Sequence, residues 1–240
     1  MTIDGVMVHE EDPAKQPQPR VVTPGVASTQ EKAGTAPSDA VVLFDGKDLS
    51  RWTSTNEGED TKWIVQNGAM LPTPDSGQIR SKEHFGSCQL HLEWATPVPV
   101  EGSGQGRGNS GVFLMGIYEI QILDSYENTT YPDGQAGALY GRNVPLVNAC
   151  RKPGEWQSYD IVFHRPRFDE NGKVVKRATF TVLHNGVLIL DHVELSGGTG
   201  WRGPHAVTDY EAHGDKGPIE LQDHGNPVRF RNVWVRELAD

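Results

Sequence analysis

Gly108-Asn109-Ser110-Gly111-Val112-Phe113-Leu114-Met115-Gly116-Ile117-Tyr118-Glu119-Ile120-Gln121-Ile122-Leu123-Asp124 is the stretch on which the fold turns. Its second half alternates: in an extended chain Tyr118, Ile120 and Ile122 share one face, and Glu119 and Gln121 share the other. Gly106 to Gly111 spells G-x-G-x-x-G, but a dinucleotide fingerprint must open a helix. Here the continuation, Val112 to Leu123, has the period of a strand, so the glycines serve a tight turn or a close backbone approach to a ligand. A carboxylate inside such a strand must find a partner or line a cleft, because an unpaired buried charge is costly.

Outward from this stretch the pattern is the same. From Val41 on, β-branched and aromatic runs alternate with Gly, Pro, Asn and Asp, and no segment sustains a helical period. Asn67-Gly68 and Asn185-Gly186 supply the positive φ angles of type I′ turns, so each predicts a hairpin. Further strands are expected at 77–81, 88–95, 110–115, 117–123, 156–164, 217–222 and 228–237. In 88–95, Leu90, Leu92 and Trp94 form the inward set, and Gln89, His91 and Glu93 an ordinary solvent face. About a dozen short strands without crossover helices favour an all-β, two-sheet sandwich over a closed barrel. The irregular regions 124–155 and 195–216 are long enough to form rims or lids.

Composition narrows the partners. The 240 residues carry a formal charge of -10 and no basic stripe, which excludes nucleic acid and suits a neutral sugar or polyol. No run of about 18 apolar residues is present, so no membrane span is expected. Residues 1–39 hold Pro13, Pro17, Pro19, Pro24 and Pro37 with four acidic residues in the first twelve, and lack a signal-type apolar core. They read as a disordered leader before a single domain at 40–240, with the cytoplasm as default compartment. Cys88 and Cys150 read as two free thiols, and Asn128-Thr129-Thr130 is a weak glycosylation sequon.

Two polar constellations carry the chemistry. Glu119, Gln121 and Asp124 would converge on one cleft if a β-bulge returned Asp124 to the face of the other two, as glycoside chemistry with paired carboxyls requires. The alternative has Glu119 paired with an arginine and Asp124 starting a turn. The segment Ile219-Glu220-Leu221-Gln222-Asp223-His224 repeats the pattern, so Glu220, Gln222 and, in a persisting strand, His224 face away from the core. Arg229 and Arg231 follow at the same spacing and suit bidentate contacts to carboxylates. His205, Asp209, Glu211, His213, Asp215 and His224 crowd together without a ligand spacing, so no metal or other cofactor is expected. No G-x-S-x-G elbow or C-x-x-C pair is present.

At these residues the chain resembles the DUF1080 family, also called the 3-keto-disaccharide hydrolase domain. The carrying segments are Leu43 to Trp52, Gly108 to Ser125, Ala136 to Gly141, Trp156 to Ile161, His184 to Val187 and Leu221 to Arg236. The resemblance implies a concanavalin A-like jelly roll, action on oxidised disaccharides or glycosides, and a family often exported. The Glu119/Gln121/Asp124 spacing is also similar to the E-x-D-x-x-E strand of laminarinase-like glucanases, with Gln121 where the central acid stands. That departure favours base-assisted cleavage of a 3-keto sugar, in which a ketone at C3 acidifies the C2 proton. Glu119 is then the expected base or acid and His224 its complement, with Asp124 beside them. Arg80, Asn109, Gln121, Tyr140, Glu220, Gln222 and Arg231 are expected to bind substrate or stabilise the oxyanion. A non-catalytic glycan-binding module and a laminarinase-like endo-glucanase are the competing readings.

Overall fold

Asn67 and Gly68 hold φ of 52° and 74°, and Asn185 and Gly186 hold 54° and 78°, so both Asn-Gly pairs close the hairpins their chemistry demands. The structure, a computed structural model, describes residues 2–3, 6–7, 12–16, 18–200 and 208–239. Its strands run β1 Thr2–Ile3, β2 Val6–Met7, β3 Val41–Phe44, β4 Trp52–Ser54, β5 Ile64–Gln66, β6 Ala69–Leu71, β7 Ile79–Phe85 and β8 Cys88–Ala95. They continue with β9 Ser110–Leu114, β10 Tyr118–Ile122, β11 Gln157–His164, β12 Arg167–Phe168, β13 Val174–Lys176, β14 Thr179–His184, β15 Val187–Glu194, β16 Gly217–Leu221 and β17 Arg229–Glu237.

Two antiparallel sheets form a jelly-roll sandwich. The smaller has the order β10-β9-β16-β7-β4; the larger runs β15-β14-β11-β8-β17-β6-β5, with β3 beside the second half of β17. Period-two alternation supplies both inner faces. Leu90, Leu92 and Trp94 from β8, Tyr159, Ile161 and Phe163 from β11, and Tyr118, Ile120 and Ile122 from β10 are all at most 1% exposed. Burying side chains of this size contributes roughly 1.5–3 kcal/mol each, which makes this interior the main source of stability. Among the described residues no helix is long and apolar enough to cross a membrane.

The amino-terminal segment departs from the sequence expectation of a disordered leader. Residues 18–39 follow a defined course as a strap across the outer face of the larger sheet. Gln30 exchanges two hydrogen bonds with the Trp156 backbone, at 2.9 and 2.7 Å. Arg231 donates to the carbonyl of Thr29, and Ser28 bonds Glu93. Farther along, Asp39 accepts from Arg236 at 2.8 Å and pairs with Arg20. Proline and low hydropathy argue for disorder when a segment is read alone; here the strap lands on polar groups of β8, β17 and the chain entering β11.

The expected solvent face of β8 is altered by the same contact. Glu93 is 2% exposed and Arg231, opposite it in the ladder, 6%. The two pair at 2.7 Å, and the Arg231 guanidinium lies 4.2 Å from the Trp156 ring centre. Arg231 therefore belongs to the larger sheet and to the strap, and does not join the carboxylates of β10 and β16. Burial works against the Glu93 charge, yet hydrogen bonds from His91, Ser28, Asn232 and Arg231 outweigh it and hold its pKa down at about 2.

Candidate active site

The outer face of the smaller sheet is built by register. Glu119 stands opposite Phe113, Phe113 opposite Glu220, and Glu220 opposite Arg80, which lines up four strands in one transverse row. Gln121 stands opposite Gly111, and the Gln222 backbone N–H donates to the Gly111 carbonyl at 3.0 Å, which begins a second row. Phe113 thus offers a half-exposed apolar floor between two carboxyl groups. Strand spacing places the α-carbons of Glu119 and Glu220 roughly 10 Å apart.

Two glycines seat these carboxyls. A side chain on Gly111 would begin 2.5 Å from Glu119 Oε1, and one on Gly116, at φ +69°, would begin 3.0 Å from Glu220 Oε1. Side chains at either position would displace a carboxyl from its place.

The rim regions close over β10. The Gln121 N–H donates to Ala138 and its carbonyl accepts from Gly137, both at 2.9 Å, while Tyr140 donates to the Glu119 carbonyl at 3.2 Å. Residues 137–140 therefore continue the sheet past its last regular strand. From the other rim, Thr199 Oγ1 accepts the Glu119 N–H at 2.9 Å and donates to the Ile117 carbonyl at 3.0 Å. Gly200 donates to the Tyr140 carbonyl at 3.0 Å.

Inside this enclosure Glu119 is 5% exposed, and its carboxyl has no hydrogen-bond partner among the described residues. Burial alone pushes its pKa up to about 8. Glu220 is also pushed up by burial, with Arg80 working in the opposite direction. The Tyr140 hydroxyl is raised well above the ordinary phenol value, first by burial and then by the Tyr131 hydroxyl, with the charge of Glu119 among the smaller causes. The backbone hydrogen bond from Tyr140 to the Glu119 carbonyl places the two residues side by side. Gln121 donates from Nε2 to Gln105 Oε1 at 2.9 Å, and its Oε1 is buried without a partner among the described residues.

The expected residues divide accordingly. The structure gathers Glu119, Gln121, Glu220, Arg80, Gln222 and Tyr140 on or beside one sheet face. Asn109 lies behind Gln121: its Nδ2 donates to the Gln105 carbonyl at 2.7 Å and its N–H to Asn226 Oδ1 at 2.7 Å. Asp124 does not return to that face. All five residue pairs of β9 and β10 are in regular register, so no bulge exists there. Arg107 instead takes the Asp124 carboxylate at 2.7 Å, and its other oxygen accepts the Tyr126 N–H, so Asp124 is the ion-paired start of a turn. His224 is also displaced from its expected position, because β16 ends at Leu221 and Asp223 turns the chain by bonding Ser76, Gly77 and Gly225. His224 is exposed in that turn. His213 instead meets the Tyr118 hydroxyl at 2.6 Å, and His205 lies outside the described residues. Sequence reasoning missed Gln105, Tyr131 and Thr199, whose roles depend on loops folding back; the Tyr131-Pro132-Asp133-Gly134 turn next to Tyr140 was the available signal.

A jelly-roll sandwich carrying carboxyl, amide and aromatic groups across one sheet face beneath long rims is a carbohydrate-active protein of the hydrolase kind. Residues 39–236 match the 3-keto-alpha-glucoside-1,2-lyase-like domain, and the chain belongs to that family. It is 25% identical, over 82% of its own length and 78% of the relative's, to the 3-keto-disaccharide hydrolase of Bacteroides thetaiotaomicron. It also resembles the crystal structure of a candidate glycosyl hydrolase from Parabacteroides distasonis, with 44% identity, 99% coverage of both chains and a TM-score of 0.88. A second such protein from that organism shares the fold at a TM-score of 0.60 and 21% identity, over 83% of this chain and 94% of its own.

Proposed function

We propose that the protein cleaves 3-keto-glycosides, 3-keto-disaccharides among them, by removing the proton at C2 and expelling the anomeric substituent, with water then adding across the resulting double bond. The observation that carries this reading is the Glu119 carboxyl, 5% exposed and without a charge partner among the described residues, whose pKa burial pushes up to about 8. Direct displacement at an anomeric carbon calls for two carboxyls about 5–9.5 Å apart. The Glu119 carboxyl leans towards Gly111 and that of Glu220 towards Gly116 at the other end of the β9–β10 hairpin, so the two diverge and suit that arrangement poorly. Abstraction of a carbon-bound proton calls for one base stronger than an ordinary carboxylate, and burial supplies that strength to Glu119.

In this scheme the Glu119 carboxylate takes the C2 proton and the C2–H electron pair becomes the C2–C3 double bond. The carbonyl pair moves onto the C3 oxygen, beside which Tyr140 is the available donor. When that pair returns to re-form the carbonyl, the C2–C3 pair moves to make a C1–C2 double bond, the C1–O bond breaks, and the departing oxygen takes the proton back from Glu119. Phe113 supplies an apolar floor for the sugar ring, and Arg80, Glu220 and Gln222 meet its hydroxyl groups. His224 and Asp124 have no role in this scheme.

The test is incubation with matched native and 3-keto-glucosides, followed by NMR. Turnover of the oxidised sugar alone supports the reading. Cleavage of the native sugar points to an endo-glucanase, and binding without turnover points to a glycan-binding module.

A further inference from the structure

The Tyr140 hydroxyl lies 2.7 Å from the Tyr131 hydroxyl, with the two rings 6.3 Å apart and tilted by 48°. This contact is built into the loop. The Tyr131 ring lies so close to the backbone that a side chain on Gly134 would begin 2.1 Å from its Cε2. Pro132–Gly134 forms a 3₁₀ turn, and the Gly134 N–H donates to the Tyr131 carbonyl at 3.1 Å. Gln105 then fastens the turn, donating from Nε2 to the Gly134 carbonyl at 2.8 Å and to Thr130 Oγ1 at 3.1 Å. The Oε1 of the same Gln105 accepts from Gln121, so a single amide ties the Tyr131 loop to the strand that bears Glu119. Beyond the turn, Gly141 donates to the Asp133 carbonyl at 2.9 Å, which fixes the distance from Tyr131 to Tyr140.

We infer that Tyr131 is a positioning residue whose hydroxyl donates to Tyr140, leaving the Tyr140 proton to face the C3 carbonyl oxygen of a 3-keto sugar as that oxygen becomes an enolate. The inference rests on the function proposed above. Each hydroxyl has one proton; if Tyr131 spends its proton on Tyr140, the Tyr140 proton is free for the ligand and its oxygen is polarised to give it. The carboxyl of Glu119, adjacent to Tyr140, is the other group that could claim that proton, and it stops competing once it has taken the C2 proton. Burial keeps Tyr140 a neutral phenol, as a donor must be. No atom is transferred to or from Tyr131: the C2–H bond breaks to Glu119, the C2–C3 double bond forms, and negative charge gathers on an oxygen held by Tyr140.

Two measurements with a 3-keto-glucoside test this. The first is deuterium uptake at C2 in D₂O, followed by NMR, which reads enolisation without requiring the leaving group to depart. Tyr140→Phe is expected to slow uptake about 100-fold or more, the typical loss for one oxyanion donor. Tyr131→Phe is expected to slow it about fivefold to tenfold with KM unchanged, the worth of one hydrogen bond. The second is the C3 carbonyl stretch of the sugar bound to Glu119→Gln, which binds without abstracting the proton. Its shift to lower frequency should shrink when Tyr131→Phe is added and vanish with Tyr140→Phe. Replacing Tyr131 with 3-fluorotyrosine, a stronger donor of the same shape, should enlarge the shift and keeps the test open where Tyr131→Phe loosens the fold. Wild-type exchange at C2 together with an unmoved stretch and rate in both Tyr131 variants would overturn the inference. Wild-type protein that neither exchanges C2 nor cleaves the sugar would instead overturn the function on which it rests.

Discussion

Replacing Glu119 with glutamine should make the protein more stable while removing its proposed chemistry, and the gain should grow with pH. In the folded chain the Glu119 carboxyl is pushed from 4.5 up to about 8 because burial disfavours its charge. Between those two values the unfolded chain has already lost the proton and the folded chain still holds it. The folded state therefore binds more protons, and stability falls as pH rises through this window. Integrated across the window, this amounts to roughly 5 kcal/mol by pH 9, and to roughly 3 kcal/mol at pH 7. Glutamine has nearly the same shape and no charge to bury, so the variant escapes the loss. At 2–4 °C per kcal/mol for a chain of this size, its melting temperature at pH 7 should exceed that of the wild type by about 6–12 °C. Denaturant unfolding of both proteins at pH 5, 7 and 9 measures the difference directly. A gap that stays flat across those pH values would refute the burial argument, because it would mean that Glu119 ionises in the folded protein as it does in water.

The same group sets the expected activity profile: kcat/KM on a 3-keto-glucoside should rise through about pH 8 as Glu119 ionises, and a rise centred near 4.5 would count against Glu119 as the base. Gly111→Ala should fold, since only the ends of the Glu119 and Phe113 side chains must move, yet lose most turnover because the carboxyl is displaced; circular dichroism and the NMR assay separate the two effects. His91 behaves in the opposite sense to Glu119. Burial disfavours its charge, but the carboxylates of Asp160 and Glu93 prevail and raise it from 6.5 to about 9. Its contribution is complete below 6.5 and lost as pH passes 9, so His91→Gln should be destabilised at pH 6 by roughly 3 kcal/mol and approach the wild type above pH 9 in urea titrations. Ser28→Ala removes one of the donors to buried Glu93 and should cost about 1–3 kcal/mol, with hydrogen exchange rising first in residues 26–35.

Much of the sandwich is legible in the sequence because its signals are local. An Asn-Gly pair fixes a turn within two residues, and the alternation in Leu90-His91-Leu92-Glu93-Trp94 fixes which side chains enter the core. The same local logic puts Glu119 and Gln121 on one face of β10. What it cannot supply is what comes to lie on that face. Glu93 reads as a surface residue and Arg231 as a substrate ligand until residues 27–30 cross them, and the strap itself reads as disordered because its partners lie 60 to 200 residues away. Asp124 illustrates the other failure. Its carboxyl chemistry is genuine, but one regular ladder and one arginine, Arg107, decide that it serves a turn. The Tyr131–Tyr140 contact depends on a loop doubling back on itself, which no periodicity reports.

The place of β17 in the larger sheet bears on how the chain is made. Arg229–Glu237 lies between β8 on one side and β6 and β3 on the other, so the centre of that sheet is filled by a strand that leaves the ribosome after the neighbours it joins. Until then β8 has one open edge, β6 is paired with β5 alone, β3 has no partner in the sheet, and the strap lacks the part of its anchoring surface that β17 supplies. The nascent protein must hold an unclosed sheet until β17 emerges, which exposes strand edges to mispairing. Formation of the sandwich is therefore expected to be late and abrupt, with the amino-terminal strap settling only after the carboxyl-terminal strand has arrived.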